Sequence, residues 1–472
     1  MLSSFSALSV PGRGAARLAA VTLVSAFAAT GVVAGAGPAA AEGTAQGGQG
    51  GATATMGGLK TYGTAVMHGE GGDQEVPAGL FEMSVEGGGM LQTYCVDIQN
   101  PTLKDAKYHE TPWSGTSLGT NDEAGRIRWI LQNSYPQVND LAALAKKAGV
   151  RGGLTEQDAA AGTQVAIWRY SDDADVEAVD PQAERLADYL ERNARDLAEP
   201  AASLTVDPPA VSGRPGERLG PVTVHTGAGS ASVVPPTDAA LSGVRIVDRK
   251  GRAVTSAADG TQVFFDVPDD AAAGTAELTV QASTTVPVGR AFASENRSQT
   301  QILAGSSEST VAATATATWA DQGAIPALSA VENCAENGLD ITAVNKGDEA
   351  FTFELMGTEH TIAAGESRTV TIPLQEDRSY DFVIQGLAGF EQRFTGVLDC
   401  RTQSSAAGDL TTQTLGEPSR PATAGGTATD TNLAETGSSD VTPMIAGLAL
   451  ALITIGGVTL TVVRRKNSSE HP

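Results

Sequence analysis

The stretch Leu91-Gln92-Thr93-Tyr94-Cys95-Val96 alternates apolar and polar side chains, with Leu91, Thr93 and Cys95 falling on one side. A period of two predicts a strand with one buried face. The same alternation occurs just upstream, in Leu80-Phe81-Glu82-Met83-Ser84-Val85, and Gly87-Gly88-Gly89 lies between the two as a turn. Working outward, a β pattern holds from about Gly57 to Trp113. Helical spacing then takes over. Asn121 or Asp122 caps a segment carrying Ile127, Ile130 and Leu131 on one side, and Pro136 closes it. Leu141 to Ala148 forms a short helix ended by Gly149. Thr155-Glu156-Gln157-Asp158 has the form of a capping box opening a third helix, which carries Gln164, Ile167 and Trp168 on one face. Pro181 to Leu197 is a fourth. A mixed β/α head domain is therefore expected over 57–199.

Beyond Pro208-Pro209, short apolar alternations recur between turn residues, for example Val222-Thr223-Val224 and Ala276-Glu277-Leu278-Thr279-Val280. This spacing predicts a β-sandwich over 203–319. A second, Ig-like sandwich is expected over 326–400. Residues 401–432 are rich in Ser, Thr, Ala and Gly and read as a disordered stalk. Residues 42–56 are rich in Gly, Ala and Gln and read as a flexible linker. The fold class expected is thus mostly β and multi-domain.

Composition narrows the function. The 472 residues carry a net charge of −24, which argues against a nucleic-acid partner. Aromatics make up only 5% of the chain against 54 glycines, which fits Gly-rich β domains. No metal-ligand set and no cofactor motif is expected.

Both ends read as addresses. Arg13 and Arg17 precede an apolar run, and Ala39-Ala40-Ala41 offers the small side chains a signal peptidase needs, so 1–41 reads as an export signal. At the other end, residues 441–463 are uncharged and long enough to cross a hydrocarbon core of about 30 Å as a helix. Arg464-Arg465-Lys466 opens the basic tail 464–472, which stays inside by the positive-inside rule. Just before the span stands Leu433-Ala434-Glu435-Thr436-Gly437. These three elements in order resemble a sorting signal for a sortase, in the LAXTG variant of high-GC Gram-positive bacteria. That resemblance implies cleavage between Thr436 and Gly437, linkage to cell-wall peptidoglycan and a place on the outer face of the envelope, with the span a transient anchor. The alternative is a plain membrane anchor that is never cut.

The chain has three cysteines, an odd number for an exported protein. Cys334 and Cys400 bracket the second sandwich, and a disulfide between them is expected in an oxidising compartment. Cys95 is left alone in the head. A lone cysteine is often a small buried hydrophobe. An exposed thiol outside the cell is readily oxidised, however, so it needs a resolution.

Tyr94-Cys95-Val96-Asp97 followed by Thr163-Gln164-Val165-Ala166-Ile167-Trp168 resembles the thioester, or TQXA, domains of Gram-positive surface adhesins. Arg128-Trp129-Ile130-Leu131 is similar to the helical segment between those motifs. The resemblance covers 57–199. It implies that the Cys95 thiol displaces ammonia from a glutamine carboxamide, with Gln164 as that glutamine, leaving an internal thioester. An amide is a poor electrophile, so the fold must supply near-attack geometry, an effect of roughly 7–11 kcal/mol. Tyr94, Trp129 and Trp168 would shield the bond from water, with Thr163 also in its surroundings. His109 is a candidate for proton transfer.

The function implied is an adhesin that captures an amine, such as a lysine side chain on a partner surface, once per molecule and without turnover. Between residues 51 and 200 there are 12 Lys and Arg against 23 Asp and Glu, a net −11 that favours approach of cations. Two alternatives stand beside it. One is a passive wall or coat protein with a buried Cys95; the other is an enzyme using Cys95 as nucleophile and His109 as base. Lys–Asn cross-links of the kind found in adhesin stalks are not expected in the middle domain, whose only lysine between 203 and 319 is Lys250.

Overall fold

The computed structural model describes residues 50–401 except 70, 296–297, 377–378 and 386–389. The expected export signal, most of the linker, the stalk beyond residue 401, the LAETG motif, the 441–463 span and the basic tail lie outside these residues. No helix among the described residues is long and apolar enough to cross a membrane.

The head is built on strands β1 (Thr53–Met67), β2 (Gln74–Val85), β3 (Met90–Cys95) and β4 (Lys107–Thr111). Helices α1 (Ala124–Asn133), α2 (Leu141–Ala148) and α3 (Glu156–Ser171) follow, then β5 (Val176–Ala178) and α4 (Pro181–Asn193). The capping box at the start of α3 is formed. Thr155 Oγ1 accepts from the Asp158 amide at 3.1 Å, and the Asp158 carboxylate accepts from the Thr155 amide at 2.9 Å. α3 packs across β1, β2 and β3 and against α4. Gly162 permits that last approach, since a Cβ there would meet the Ala183 carbonyl oxygen at 2.4 Å.

β1 begins four residues earlier than the expected domain boundary. Ala52, Ala54 and Met56 are at most 2% exposed, and Gly51 bridges Ala312. The 50–56 end of the expected linker is therefore ordered. Its Gly- and Ala-rich composition conceals a period-two pattern of small apolar side chains that a strand can bury.

The middle region contains β6 (Leu204–Asp207), β7 (Ala210–Gly213), β8 (Arg218–Thr226), β9 (Ala231–Val234), β10 (Arg245–Val247), β11 (Ser256–Ala257), β12 (Thr261–Asp266) and β13 (Gly274–Thr285). β14 (Ala291–Ser294), β15 (Gln301–Ser306) and β16 (Glu308–Trp319) complete it. Two sheets form the sandwich, ordered β10-β12-β8-β6 and β11-β9-β13-β16-β7. β13 and β16 are antiparallel partners along their whole length, from Gly274↔Trp319 to Thr285↔Glu308.

The excursion between those two ladders does not stay in the sandwich. β14 and β15 enter the head, where the strand order is β2-β3-β15-β14-β4-β1, and β1 pairs again with β2. Six antiparallel strands thus close a ring, with β5 added along β1. The expected division into 57–199 and 203–319 accordingly cuts through one barrel. A single apolar core runs from Ala52 to Trp319.

A buried ion pair fixes the entry of the excursion. Arg290, 4% exposed at the side chain, donates from Nε to Glu110 Oε1 at 3.0 Å. Its guanidinium also reaches Glu199 at 2.6 Å. Glu110, with a fully buried side chain, accepts from the amides of Ala52 and Ser203 and from the Ser203 hydroxyl as well.

The last region has β17 (Pro326–Asn333), β18 (Gly338–Asn345), β19 (Phe351–Leu355), β20 (Thr358–Ile362), β21 (Ser367–Pro373), β22 (Ser379–Gln385) and β23 (Glu391–Val397). Its core is separate and centres on Leu328, Ile341, Phe351, Phe353 and Phe394. Cys334 and Cys400 are joined, with sulfurs 2.07 Å apart. The bond closes a loop of 66 residues, for which loop-closure entropy gives about 4 kcal/mol. Replacing both cysteines with Ser is expected to lower the stability of this region by up to that amount, read by denaturant unfolding. An unchanged midpoint would mean that the sheets alone hold the region together.

Candidate functional site

Cys95 is the last residue of β3, 1% exposed, with a free thiol. On one side its strand is paired with β15, in a register that sets Cys95 opposite Gln301. The flanking pair, Val96 and Thr300, is hydrogen bonded, the Val96 amide donating to the Thr300 carbonyl at 3.2 Å. Cys95 and Gln301 therefore form a non-hydrogen-bonded pair, the arrangement that brings side chains on one face closest together.

The side chains meet. Gln301 Nε2 donates to Cys95 Sγ at 3.3 Å and to Thr102 Oγ1 at 3.2 Å, and Thr102 Oγ1 itself lies 3.3 Å from Sγ. The Gln301 carbonyl oxygen accepts from Thr93 Oγ1 at 2.9 Å. Thr93 is two residues before Cys95 and so shares its face of the strand. Gln301 is wholly buried, as is Thr93, and Thr102 is 7% exposed.

Gln164 takes a different place. The Cys95 amide and carbonyl point away from β15, on the side where β2 pairing has ended at Thr93. Gln164 reaches from α3 and satisfies both. Its Oε1 accepts from the Cys95 amide at 3.0 Å and its Nε2 donates to the Cys95 carbonyl at 2.9 Å. A side-chain carboxamide has the donor and acceptor of a peptide group, so Gln164 acts here as a one-residue extension of the sheet. Thr163, next to it, is also buried and turns its hydroxyl back to the Ala159 carbonyl.

Burial pushes the Cys95 thiol up to about 12, partly offset by the hydrogen bonds of Thr102 and Gln301, while the Asp97 and Asp172 carboxylates push it further. Asp172 is itself held well above the usual carboxylate range, by burial first and then by Asp97. At neutral pH the sulfur thus keeps its proton until it reacts.

The remaining expected residues are spread around this centre. Tyr94 is buried on the opposite face and donates to the Tyr135 carbonyl at 2.9 Å. Trp168 is 1% exposed, and its indole nitrogen has no hydrogen-bond partner among the described residues. Trp129 is half-buried on α1. His109 does not serve the thiol. Its Nδ1 lies against Thr53 Oγ1 at 3.1 Å and its Nε2 against Glu295 Oε1 at 2.5 Å, so both nitrogens are engaged. The 14-residue separation from Cys95 places His109 on β4, which β14 and β15 separate from β3. Among the described residues no group of His, Cys, Asp and Glu is placed to hold a metal ion.

Sequence reasoning missed Gln301, Thr102 and Thr93. A weak signal lies in Thr300-Gln301-Ile302-Leu303, a glutamine leading an apolar run, but the run falls within the stretch whose spacing predicts the middle sandwich.

Residues 92–196 match one protein-family model. That family is the thioester domain. The match to the thioester domain includes Cys95, Thr102 and Gln164 and ends well before Gln301. Among solved structures, the chain is similar to the Bacillus anthracis TIE protein at 16% identity and a TM-score of 0.27, covering 73% of this chain and 63% of that one. The chain thus spans less than two thirds of that relative's length. It is also similar to the thioester domain of the Enterococcus faecium TIE86 protein, at 15% identity and a TM-score of 0.27, over 57% of this chain and 96% of that one. The E. coli chaperone DraB aligns at 13% identity with a TM-score of 0.15, over 42% of this chain and 97% of the chaperone. No curated protein matches the chain.

Proposed function

We propose that this protein is a surface adhesin that stores an internal thioester and spends it once, capturing an amine on a partner surface. The thioester joins Cys95 Sγ to Gln301 Cδ, and Gln164 positions Cys95 without entering the bond. What carries this reading is the 3.3 Å approach of Sγ to Gln301 Nε2, one bond from the carbon to be attacked, in a fully buried site. The Gln164 carboxamide is occupied with the Cys95 backbone instead.

Each neighbour has a part in the chemistry. The Thr93 hydroxyl orients the Gln301 carbonyl and lies where the tetrahedral oxyanion develops. Attack by sulfur forms the Sγ–Cδ bond, and loss of nitrogen as ammonia leaves the thioester. An incoming primary amine reverses the logic: its nitrogen bonds to Cδ, the Cδ–Sγ bond breaks, and Cys95 leaves as a thiol. The product is a stable amide at Gln301, so each molecule reacts once and is no enzyme. The export signal, the LAETG motif with its Thr436–Gly437 bond, and the basic tail support a wall-anchored location reached through a sortase and peptidoglycan.

The test is incubation of the protein with methylamine and with lysine-bearing surface proteins. Methylamine is expected to add at Gln301 and free one alkylatable thiol. Lysine proteins are expected to form conjugates that survive boiling in detergent and vanish in Cys95→Ser. If methylamine adds but no protein ever does, the adhesin role fails and a reactive but non-adhesive wall protein remains. If Cys95 stays free and unreactive, the passive coat reading replaces both.

A further inference from the structure

We propose that the Thr102 hydroxyl is the proton carrier of this chemistry, passing a proton between the Cys95 sulfur and the Gln301 nitrogen as the C–S bond forms or breaks. This inference rests on the Cys95–Gln301 assignment. Thr102 Oγ1 is hydrogen bonded to both reacting groups, 3.3 Å from Sγ and 3.2 Å from Nε2, whereas the neighbouring Tyr108 hydroxyl, which also interacts with Gln301, is held by Ser298 Oγ and the Gln299 carbonyl. Among the described residues no imidazole or carboxylate is hydrogen bonded to Sγ, and the one candidate histidine, His109, is turned away on Thr53 and Glu295.

The loop is built to hold this hydroxyl still. Asp97 ties the residues before it, accepting from the amides of Gln99 at 2.9 Å and Asn100 at 3.3 Å. Gln299 then clasps the loop from the β15 side, donating from Nε2 to the Asn100 carbonyl at 2.6 Å and from its amide to the Pro101 carbonyl at 3.2 Å. The Leu103 amide donates to Ser298 Oγ at 2.8 Å. The residues flanking Thr102 are thus bonded to the segment that delivers Gln301, which fixes the hydroxyl relative to the amide.

The step balances without a redox partner. In the resting site the planar amide nitrogen has no basic lone pair and donates to Thr102. As sulfur attacks Cδ, that nitrogen becomes pyramidal and basic. The thiol proton moves to Thr102 Oγ1, the proton of Thr102 moves to nitrogen, the Cδ–Nε2 bond breaks and ammonia departs. In aminolysis the incoming amine takes the place of that nitrogen. It gives a proton to Thr102, and Thr102 gives its own to Sγ as the thioester opens.

The experiment compares the full chain as wild type, Thr102→Val and Thr102→Ser, following loss of one ammonia by intact mass during refolding and the rate of reaction with methylamine. Thr102→Val is expected to slow bond formation by about 10²-fold or more, the usual size of a general acid–base contribution. Thr102→Ser is expected to remain within a few fold of wild type. If Thr102→Val matches wild type while the wild-type peptide map joins Cys95 to Gln301, the relay is overturned and the thioester stands. If the wild-type map shows no such joint, the underlying assignment fails whatever Thr102 does. Should Thr102→Val not fold, wild-type methylamine rates in mixtures of light and heavy water decide: a curved dependence on deuterium content is expected from two protons moving together, and a linear one overturns the relay.

Discussion

Gln301→Ala is expected to leave the protein at its full sequence mass, with Cys95 a buried and unreacted thiol. Cys95→Ser should likewise keep its full sequence mass. Gln164→Ala is expected to behave otherwise. It removes the only described partners of the Cys95 amide and carbonyl, and leaving two buried backbone groups unpaired costs on the order of 3 kcal/mol. The Gln164 variant should therefore be markedly less stable in denaturant yet still lose ammonia wherever it folds. Intact mass together with an unfolding curve separates the two glutamines, because one change abolishes the bond and the other weakens its support. A Gln164→Ala protein that is stable but never loses ammonia would assign the electrophile to α3 instead.

The second large effect belongs to Arg290. Its side chain is 4% exposed and its partner Glu110 is fully buried. Arg290→Met strands a buried carboxylate, and breaking such a pair from one side costs about 3–5 kcal/mol. The position matters as much as the magnitude. Arg290 immediately precedes β14, so loosening it frees the excursion that carries Gln301 into the barrel. The variant is expected to unfold earlier and also to retain ammonia in part of its molecules. A loss below about 1 kcal/mol, the range of an exposed pair, with complete ammonia loss would show that β-pairing alone holds the excursion.

Much of the site was legible in the residues. The alternation ending at Cys95 does form a strand, Thr155 and Asp158 do form their capping box, and Gln164 does meet Cys95 from α3. These are local patterns, set by side-chain period and capping chemistry within a few turns of chain. Gln301 was not legible, because it is positioned by a register 206 residues away in sequence. Nothing in the local alternation of Gln301 to Ser306 says that it leaves the sandwich. That follows from the full-length β13–β16 ladder, which leaves the segment between them without a place in either sandwich sheet. The unnoticed Gln301 and the domain boundary drawn through the barrel thus have one cause. His109 failed for a related reason: proximity in sequence says little about neighbours across a closed ring of strands.

The central claim concerns one covalent bond, and peptide mapping tests it most directly. The full chain is digested at mildly acidic pH, without amines or reductant, and the peptides are sequenced by tandem mass spectrometry. The account predicts a single cross-linked pair lighter by one ammonia, joining the Cys95 peptide to the Gln301 peptide. A Cys95 peptide joined to Gln164, or recovered free with both glutamine peptides at full mass, would contradict it.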